Sequence, residues 1–204
     1  MSSIAVIGNG KSAVRNKHGK FIDSCDRIVR FNSFAYEGYE SYIGNRLDIW
    51  CGFCKSPAIF EPDFHSKYSE YWLIQEHKRT YKDNMGSVLD NITKPVMYTT
   101  QEETDNIYDD LNVLKKYRFQ TLENNGCTPS TGIKAIYKAI ELYDDIYITG
   151  FDSYLISGWY WQSSDMLVEQ RRDEATQSFN DTHPYISEAM CISRLVKRNE
   201  IKII

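Results

Sequence analysis

The chain has 204 residues, of which 42% are hydrophobic, so it is long and apolar enough for one domain with a buried core. This composition excludes a disordered chain, and the formal net charge of −4 argues against a nucleic-acid-binding protein. No apolar run approaches the roughly 20 residues that a membrane helix needs, and no secretory signal precedes residues 4–7. We therefore expect one cytoplasmic domain over residues 1–204 without a membrane span.

In the first half of the chain, strands are predicted to alternate with short helical segments. Residues 4–7 form an apolar run typical of a buried strand, and a weak helix is predicted at 11–17. Further strands are predicted at 27–31, 48–51, 71–74 and 95–98, and residues 36–39 are loop-like. The spacing of Ile107, Leu111 and Leu114 predicts a helix over 104–117.

The last third has clearer periodicity. A helix with one apolar face is predicted to begin near Ser130, followed by a strand at 146–149 that ends at Gly150. An aromatic loop at 158–161, a helix after Pro184 and a strand at 201–204 complete the chain. The residues expected to form the buried face of this last helix are Ile186, Ala189, Met190 and Leu195.

Strands that alternate with helices predict an α/β fold with a mainly parallel sheet flanked by helices. In such folds, ligands bind beyond the carboxyl ends of the strands. Gly8 and Gly150 each follow a predicted strand, so we expect a binding site near these two glycines.

The turn after the first strand matches a phosphate-binding pattern. Gly8, Gly10 and Ala13 fit the GxGxxA form of the dinucleotide fingerprint, in which glycines and a helix N-terminus bind a pyrophosphate. A tight turn without a ligand fits the pattern too, and the second strand ends in Phe31 and Asn32 rather than in the acidic residue that would hold a ribose. An NAD(P)-binding oxidoreductase therefore stays an alternative.

Two further positions have side chains suited to chemistry. Ser130 and Thr131 precede a predicted helix. They act there either as a plain N-cap or, together with free N–H groups, as hydrogen-bond donors to a bound phosphate. His183 lies at the start of the last predicted helix, five residues before Glu188. Histidine is the commonest general base, and a helix-terminal cap is the other interpretation of His183.

Five scattered cysteines favour a reducing compartment over a disulfide framework. Cys51 and Cys54 form one CxxC pair, but no second pair at comparable spacing completes a zinc site. We therefore predict no metal site.

The order and spacing of these motifs resemble the sialyltransferases of glycosyltransferase family 29. Residues 4–50 resemble the large sialylmotif of that family, and residues 129–151 resemble the small sialylmotif. His183 and Glu188 match its short His-x4-Glu motif. The matching residues of the large motif include Gly8, Asn9, Gly19, Asp26, Asn32, Gly38 and Gly44.

The resemblance implies a single variant Rossmann-like, GT-A-like domain with an inverting, metal-independent transferase activity. The implied donor is a CMP-activated sialic acid or a related ulosonic acid such as Kdn or Kdo, and the implied acceptor is a hydroxyl of a glycan or glycolipid. No further cofactor is implied. By motif position, His183 is the general base, and the residues at the donor are Gly8, Asn9, Gly10, Asn32, Ser130, Thr131, Gly132, Gly150 and Tyr160.

Two departures from the family pattern affect these expectations. The two motif cysteines of the family fall at Ile4 and Tyr143, which fits a cytosolic relative without that disulfide. The third motif falls at residues 159–162, where its histidine is missing, so Tyr160 or Tyr154 is expected to offer a hydroxyl to the donor phosphate. Because that histidine is missing, a non-catalytic nucleotide-sugar- or glycan-binding module is a second alternative.

Overall fold

The computed structural model describes residues 1–52, 64–73, 94–113, 127–152, 160 and 183–204. Seven strands form one sheet in the order β5-β4-β3-β2-β1-β6-β7, and every pairing between neighbours is parallel. This confirms the predicted α/β fold. The strands are β1 Ser3–Ile7, β2 Arg27–Phe31, β3 Ile49–Cys51, β4 Glu70–Leu73, β5 Val96–Tyr98, β6 Asp145–Thr149 and β7 Lys202–Ile203.

Helices cover both faces of the sheet, which explains why residues 4–7 of β1 are all apolar and buried. Ile4 and Val6 pack into a core cluster on one face, whereas Ala5 and Ile7 belong to a second cluster on the other face. The helical elements are a 3-10 helix at Lys11–Val14, α1 Gly19–Ser24, α2 Glu40–Ile43, α3 Phe64–Lys67, α4 Gln101–Asp110, α5 Thr131–Leu142 and α6 Tyr185–Lys197. No described helix is long and apolar enough to cross a membrane.

Several helix predictions need correction. The weak helix predicted at 11–17 is a 3-10 helix of four residues, and the short helices α1, α2 and α3 were not predicted. α4 begins at Gln101, before the predicted start, because Thr100 and Glu103 form a capping box, and it ends at Asp110. Leu114 lies outside the described residues, and so does all of the aromatic loop except Tyr160.

The predicted buried face of the last helix is wrong at Ile186 and Met190. In α6, Ile186 is 73% exposed and Met190 is 58% exposed, whereas Glu188 is buried. Leu195 is buried as expected. The buried face differs from the predicted one because it includes Glu188, whose carboxylate has hydrogen-bond partners inside the protein. The buried residues of α6 are Tyr185, Glu188, Cys191, Ile192 and Leu195.

Candidate active site

The carboxyl ends of β1, β2, β3 and β6 meet at one edge of the sheet because all their pairings are parallel. β6 pairs with β1 on the side opposite β2, so the direction in which strands are added reverses between β1 and β6. Ligands of open α/β sheets bind at such a reversal. Gly8, Asn9, Asn32 and Gly150 follow these strands and lie at this edge.

The turn that contains Gly8 and Gly10 packs against the loop after β6. The N–H of Gly8 donates to the carbonyl of Thr149 (2.8 Å), and the N–H of Gly10 donates to that of Gly150 (2.9 Å). A Cβ on Gly8 would lie 2.4 Å from the carbonyl oxygen of Gly150, which itself has a φ of +75°. Glycine is therefore required at these positions for two backbone segments to touch.

The 3-10 helix after this turn already has an anionic partner. The N–H of Ser12 donates to Oδ2 of Asp152 at 3.0 Å. Asp152 therefore already takes one N–H of this segment, and a helical segment of four residues supplies little dipole to attract a phosphate. The geometry therefore does not support the pyrophosphate site that an NAD(P)-binding oxidoreductase requires.

Asn9 connects the loops after β1 and β2. Its side-chain amide donates to the carbonyl oxygens of Phe31 (3.3 Å) and Ser33 (3.2 Å), the two residues that flank Asn32. Asn32 has a φ of 45°, a left-handed conformation that asparagine tolerates, and its carbonyl accepts from Nε1 of Trp50 at 2.9 Å. The two asparagines predicted at the donor therefore lie close together.

Tyr160 bridges the same two loops. Its backbone N–H donates to the carbonyl of Asn9 (3.1 Å), its hydroxyl donates to the carbonyl of Ala35, and its ring lies edge-on against Tyr39. Burial raises the pKa of this hydroxyl. The expectation that Tyr160 offers its hydroxyl to the donor does not fit this bond, and Tyr154 lies outside the described residues.

The start of α5 is capped by Ser130. Its Oγ accepts from the N–H of Ile133 (3.3 Å) and donates to Oε2 of Glu188 (2.7 Å), so the N-cap interpretation is confirmed. The next two residues differ: among the described residues, no acceptor takes a hydrogen bond from the N–H of Thr131 or Gly132. Both residues are partly exposed, so the first turn of α5 presents two N–H groups at the positive end of the helix.

His183 lies two residues before α6, next to the chain that leads into α5. Its Nδ1 is 2.6 Å from the carbonyl oxygen of Thr128. Because a carbonyl only accepts hydrogen bonds, Nδ1 carries the proton of the neutral ring and Nε2 carries the lone pair. This tautomer is the one in which Nε2 can act as a base.

Glu188 was not among the predicted site residues, although its motif was recognised. Its side chain is 5% exposed, and its two oxygens accept from the N–H and the hydroxyl of Ser130, each at 2.7 Å. Burial raises the pKa of Glu188, while the Ser130 hydrogen bonds and the charge of Lys134 act against that rise. Hydrogen bonds to a charged group contribute about 1.5–3 kcal/mol each, so they offset only part of a desolvation cost of several kcal/mol, and the pKa stays raised.

A cavity of about 280 Å³ lies beside Gly150. Its lining includes Ser12, Arg15, Phe151 and Ile203, but none of the predicted site residues other than Gly150. The residues that the sequence predicts at the sugar donor therefore do not converge on this cavity.

The sequence profile of glycosyltransferase family 29 (sialyltransferase) matches residues 1–200. The chain belongs to this family. The chicken (Gallus gallus) CMP-N-acetylneuraminate-beta-galactosamide-alpha-2,3-sialyltransferase 1 is 23% identical over 164 residues, which are 78% of this chain and 47% of the relative. The pig (Sus scrofa) enzyme of the same name is 24% identical over 173 residues. The chain spans about half the length of the curated relatives it matches.

Solved sialyltransferases share the fold. A mammalian sialyltransferase, solved in complex with Gal-beta-1-3GalNAc-ortho-nitrophenol, superposes with a TM-score of 0.68 at 18% identity, over 100% of this chain and 69% of that one. The sialyltransferase CstII from Campylobacter jejuni, in complex with cytidine-5'-monophosphate, superposes with a TM-score of 0.57 at 16% identity, over 100% of this chain and 79% of that one. These likenesses confirm the Rossmann-like fold.

Within the sialyltransferase fold, the structure divides the predicted site residues into two groups. Gly8, Asn9, Gly10, Asn32 and Gly150 occupy the loops after β1, β2 and β6, together with Tyr160. Ser130, Thr131 and Gly132 begin α5, where His183 contacts the preceding residue Thr128. The roles of these residues stay predictions.

Proposed function

We propose that the protein is a sialyltransferase: it transfers sialic acid, or a related ulosonic acid such as Kdn or Kdo, from a CMP-sugar to a glycan hydroxyl. One observation carries this proposal. His183, with Nδ1 at hydrogen-bond distance from the carbonyl of Thr128, and a helix N-terminus whose first two N–H groups have no acceptor in the part of the chain that the structure describes, flank the same short segment, residues 128–130. Family membership supplies the chemistry that these two features would serve.

The donor phosphate is proposed to bind at the first turn of α5. The N–H groups of Thr131 and Gly132 and the hydroxyl of Thr131 are the donors, since the hydroxyl of Ser130 is engaged by Glu188. Hydrogen bonds from a helix N-terminus stabilise the negative charge that grows on the phosphate as CMP leaves. Asn9 keeps its amide oxygen as an acceptor for a hydroxyl of the nucleoside.

Transfer is proposed to proceed by inversion. Nε2 of His183 takes the proton of the acceptor hydroxyl while its oxygen bonds to the anomeric carbon, and the bond from that carbon to the CMP oxygen breaks. The hydrogen bond from Nδ1 to Thr128 holds the ring in place and stabilises the protonated form. CMP departs as a phosphate monoester. The helix N-terminus, rather than a metal ion, is proposed to meet its charge.

The first acceptor to test is a Galβ1-3GalNAc glycan. The mammalian neighbour was solved with such a compound, and the curated relatives are named as β-galactosamide α-2,3-sialyltransferases. The CMP complex of CstII motivates CMP-sugars as donors. A cytoplasmic location and a glycolipid acceptor remain parts of the proposal.

The test incubates purified protein with CMP-Neu5Ac, CMP-Kdn or CMP-Kdo and the acceptor glycan, with and without EDTA, and measures the glycan product and released CMP. We expect sialylated product in both conditions and thermal stabilisation by CMP but not by NAD(P). CMP binding without transfer or donor hydrolysis would identify a non-catalytic binding module. Absence of both CMP binding and transfer would refute the proposal.

A further inference from the structure

Two polar contacts join α6 to the segment that leads into α5. His183 contacts the carbonyl of Thr128, and Glu188 accepts from the N–H and hydroxyl of Ser130. Glu188 is also tied to the first turn of α6, because its N–H donates to the carbonyl of Pro184 at 2.9 Å. Two separated contacts fix the direction as well as the distance between the two segments.

We propose that Glu188 is a positioning residue for transfer: through Ser130 it holds the N–H groups of Thr131 and Gly132 at a fixed distance and direction from His183. This inference rests on the proposed function. Glu188 is 5% exposed, so it acts through Ser130 rather than on the sugars.

The same contact prevents the hydroxyl of Ser130 from donating a hydrogen bond to the CMP-sugar. Its one proton is given to Oε2 of Glu188, and its oxygen accepts from the N–H of Ile133. A serine hydroxyl has a single donor, so it cannot also donate to a phosphate in this arrangement. Ser130 therefore transmits the position of Glu188 to the first turn of α5.

A second carboxylate offers a matched control. Glu103 also holds α5, through an ion pair with Lys138, but it does so in the middle of the helix, away from residues 128–132. If Glu188 merely anchored α5 in the fold, the Glu188→Gln and Glu103→Gln variants would lower stability and leave turnover intact. A positioning role instead requires a selective loss of kcat, because the transition state needs the base and the phosphate donors together.

The test is a double-mutant cycle with Glu188→Gln, Ser130→Ala and the double variant, with Glu103→Gln as control. It measures kcat, KM for CMP-Neu5Ac and CMP affinity, each below the unfolding temperature of the variant. Misplacement by about 1 Å costs on the order of 100-fold. We expect kcat to fall roughly 10- to 100-fold in both single variants, with smaller changes in CMP affinity. The double variant should lose no more than Glu188→Gln alone, and the control should match the wild type.

Additive losses in the cycle would mean that Glu188 and Ser130 act separately, and they would overturn the inference. An unchanged kcat in Glu188→Gln would do the same. If Glu188→Gln does not fold, Ser130→Ala decides: weakened CMP binding with normal kcat would show that the hydroxyl binds the donor directly. A wild type without transfer or CMP binding is a separate result that refutes the proposed function itself.

Discussion

Two turns of this protein look alike in the sequence, since each follows the pattern of a phosphate-binding helix start, but they differ in the structure. In the first turn, the N–H groups of Gly8 and Gly10 donate to the loop after β6, and Asp152 accepts from the N–H of Ser12 in the 3-10 helix. At Ser130, a helix of twelve residues begins, and its next two N–H groups have no acceptor among the described residues.

The difference shows that glycine near a strand end has two distinct uses. Gly8 and Gly150 allow two backbones to approach each other, whereas the α5 start presents a dipole and N–H groups to a partly exposed position. The second arrangement offers an anion two consecutive N–H groups at the start of a helix of twelve residues. We therefore expect a phosphate to bind at the start of α5. The glycine turn is expected to support the site by holding the loops after β1 and β6 together.

Replacing His183 with Ala should have the largest effect on activity. A general base contributes about 10²- to 10⁴-fold, so kcat should fall by that factor while CMP affinity stays close to that of the wild type. The control is His18→Ala, since His18 lies before α1, which packs on the face of the sheet opposite α5. Full activity in His183→Ala would remove this residue from the role of base and leave the α5 region as a binding site alone.

Replacing Gly150 with Ala tests the support role of the glycine turn. The new Cβ would lie 2.2 Å from the carbonyl oxygen of Gly8 at a φ of +75°, so we expect unfolding to become easier by about 3 kcal/mol or more. Gly38 has a similar φ of +84° but open space around its Cβ position, so Gly38→Ala should cost only about 1–2 kcal/mol. Thermal unfolding measures both variants. Normal stability in Gly150→Ala with weakened CMP binding would indicate a ligand role instead.

Two substitutions that each remove one hydroxyl test which of the two turns binds the phosphate of CMP. Thr131→Val removes a proposed phosphate donor at α5, and one hydrogen bond to a charged group is worth about 1.5 kcal/mol or more, which is roughly tenfold in CMP affinity. Ser12→Ala removes the corresponding hydroxyl after the glycine turn and should leave CMP affinity unchanged. Calorimetry with CMP measures both. The reverse result would place the phosphate at the glycine turn.

The sequence was informative where local chemistry decides structure and uninformative where distant partners do. The apolar run of β1 and the N-cap at Ser130 follow from neighbouring residues, so they were predictable. The orientation of α6 was not, because it depends on a contact between Glu188 and a residue 58 positions away. A carboxylate on a helix normally predicts an exposed face, and only the fold brings Ser130 to it.

The smallest predicted effect concerns pH and distinguishes the two carboxylates that hold α5. Burial acts to raise the pKa of Glu103, but hydrogen bonds from Lys138 and Thr100 hold it below its ordinary value, whereas the pKa of Glu188 is raised. Ionised Glu103 therefore stabilises the fold above its unfolded pKa, and this contribution is lost as pH falls through its folded pKa. Glu103→Gln keeps the capping box with Thr100, so it should cost under about 1 kcal/mol at pH 7 and nothing in strong acid.

The raised pKa of Glu188 works in the opposite direction: folding disfavours its ionised form, so stability rises as pH falls from its folded pKa towards its unfolded value. Urea unfolding at several pH values measures the difference in free energy of unfolding between the wild type and Glu103→Gln. A difference that grows as the pH falls would contradict the prediction for Glu103.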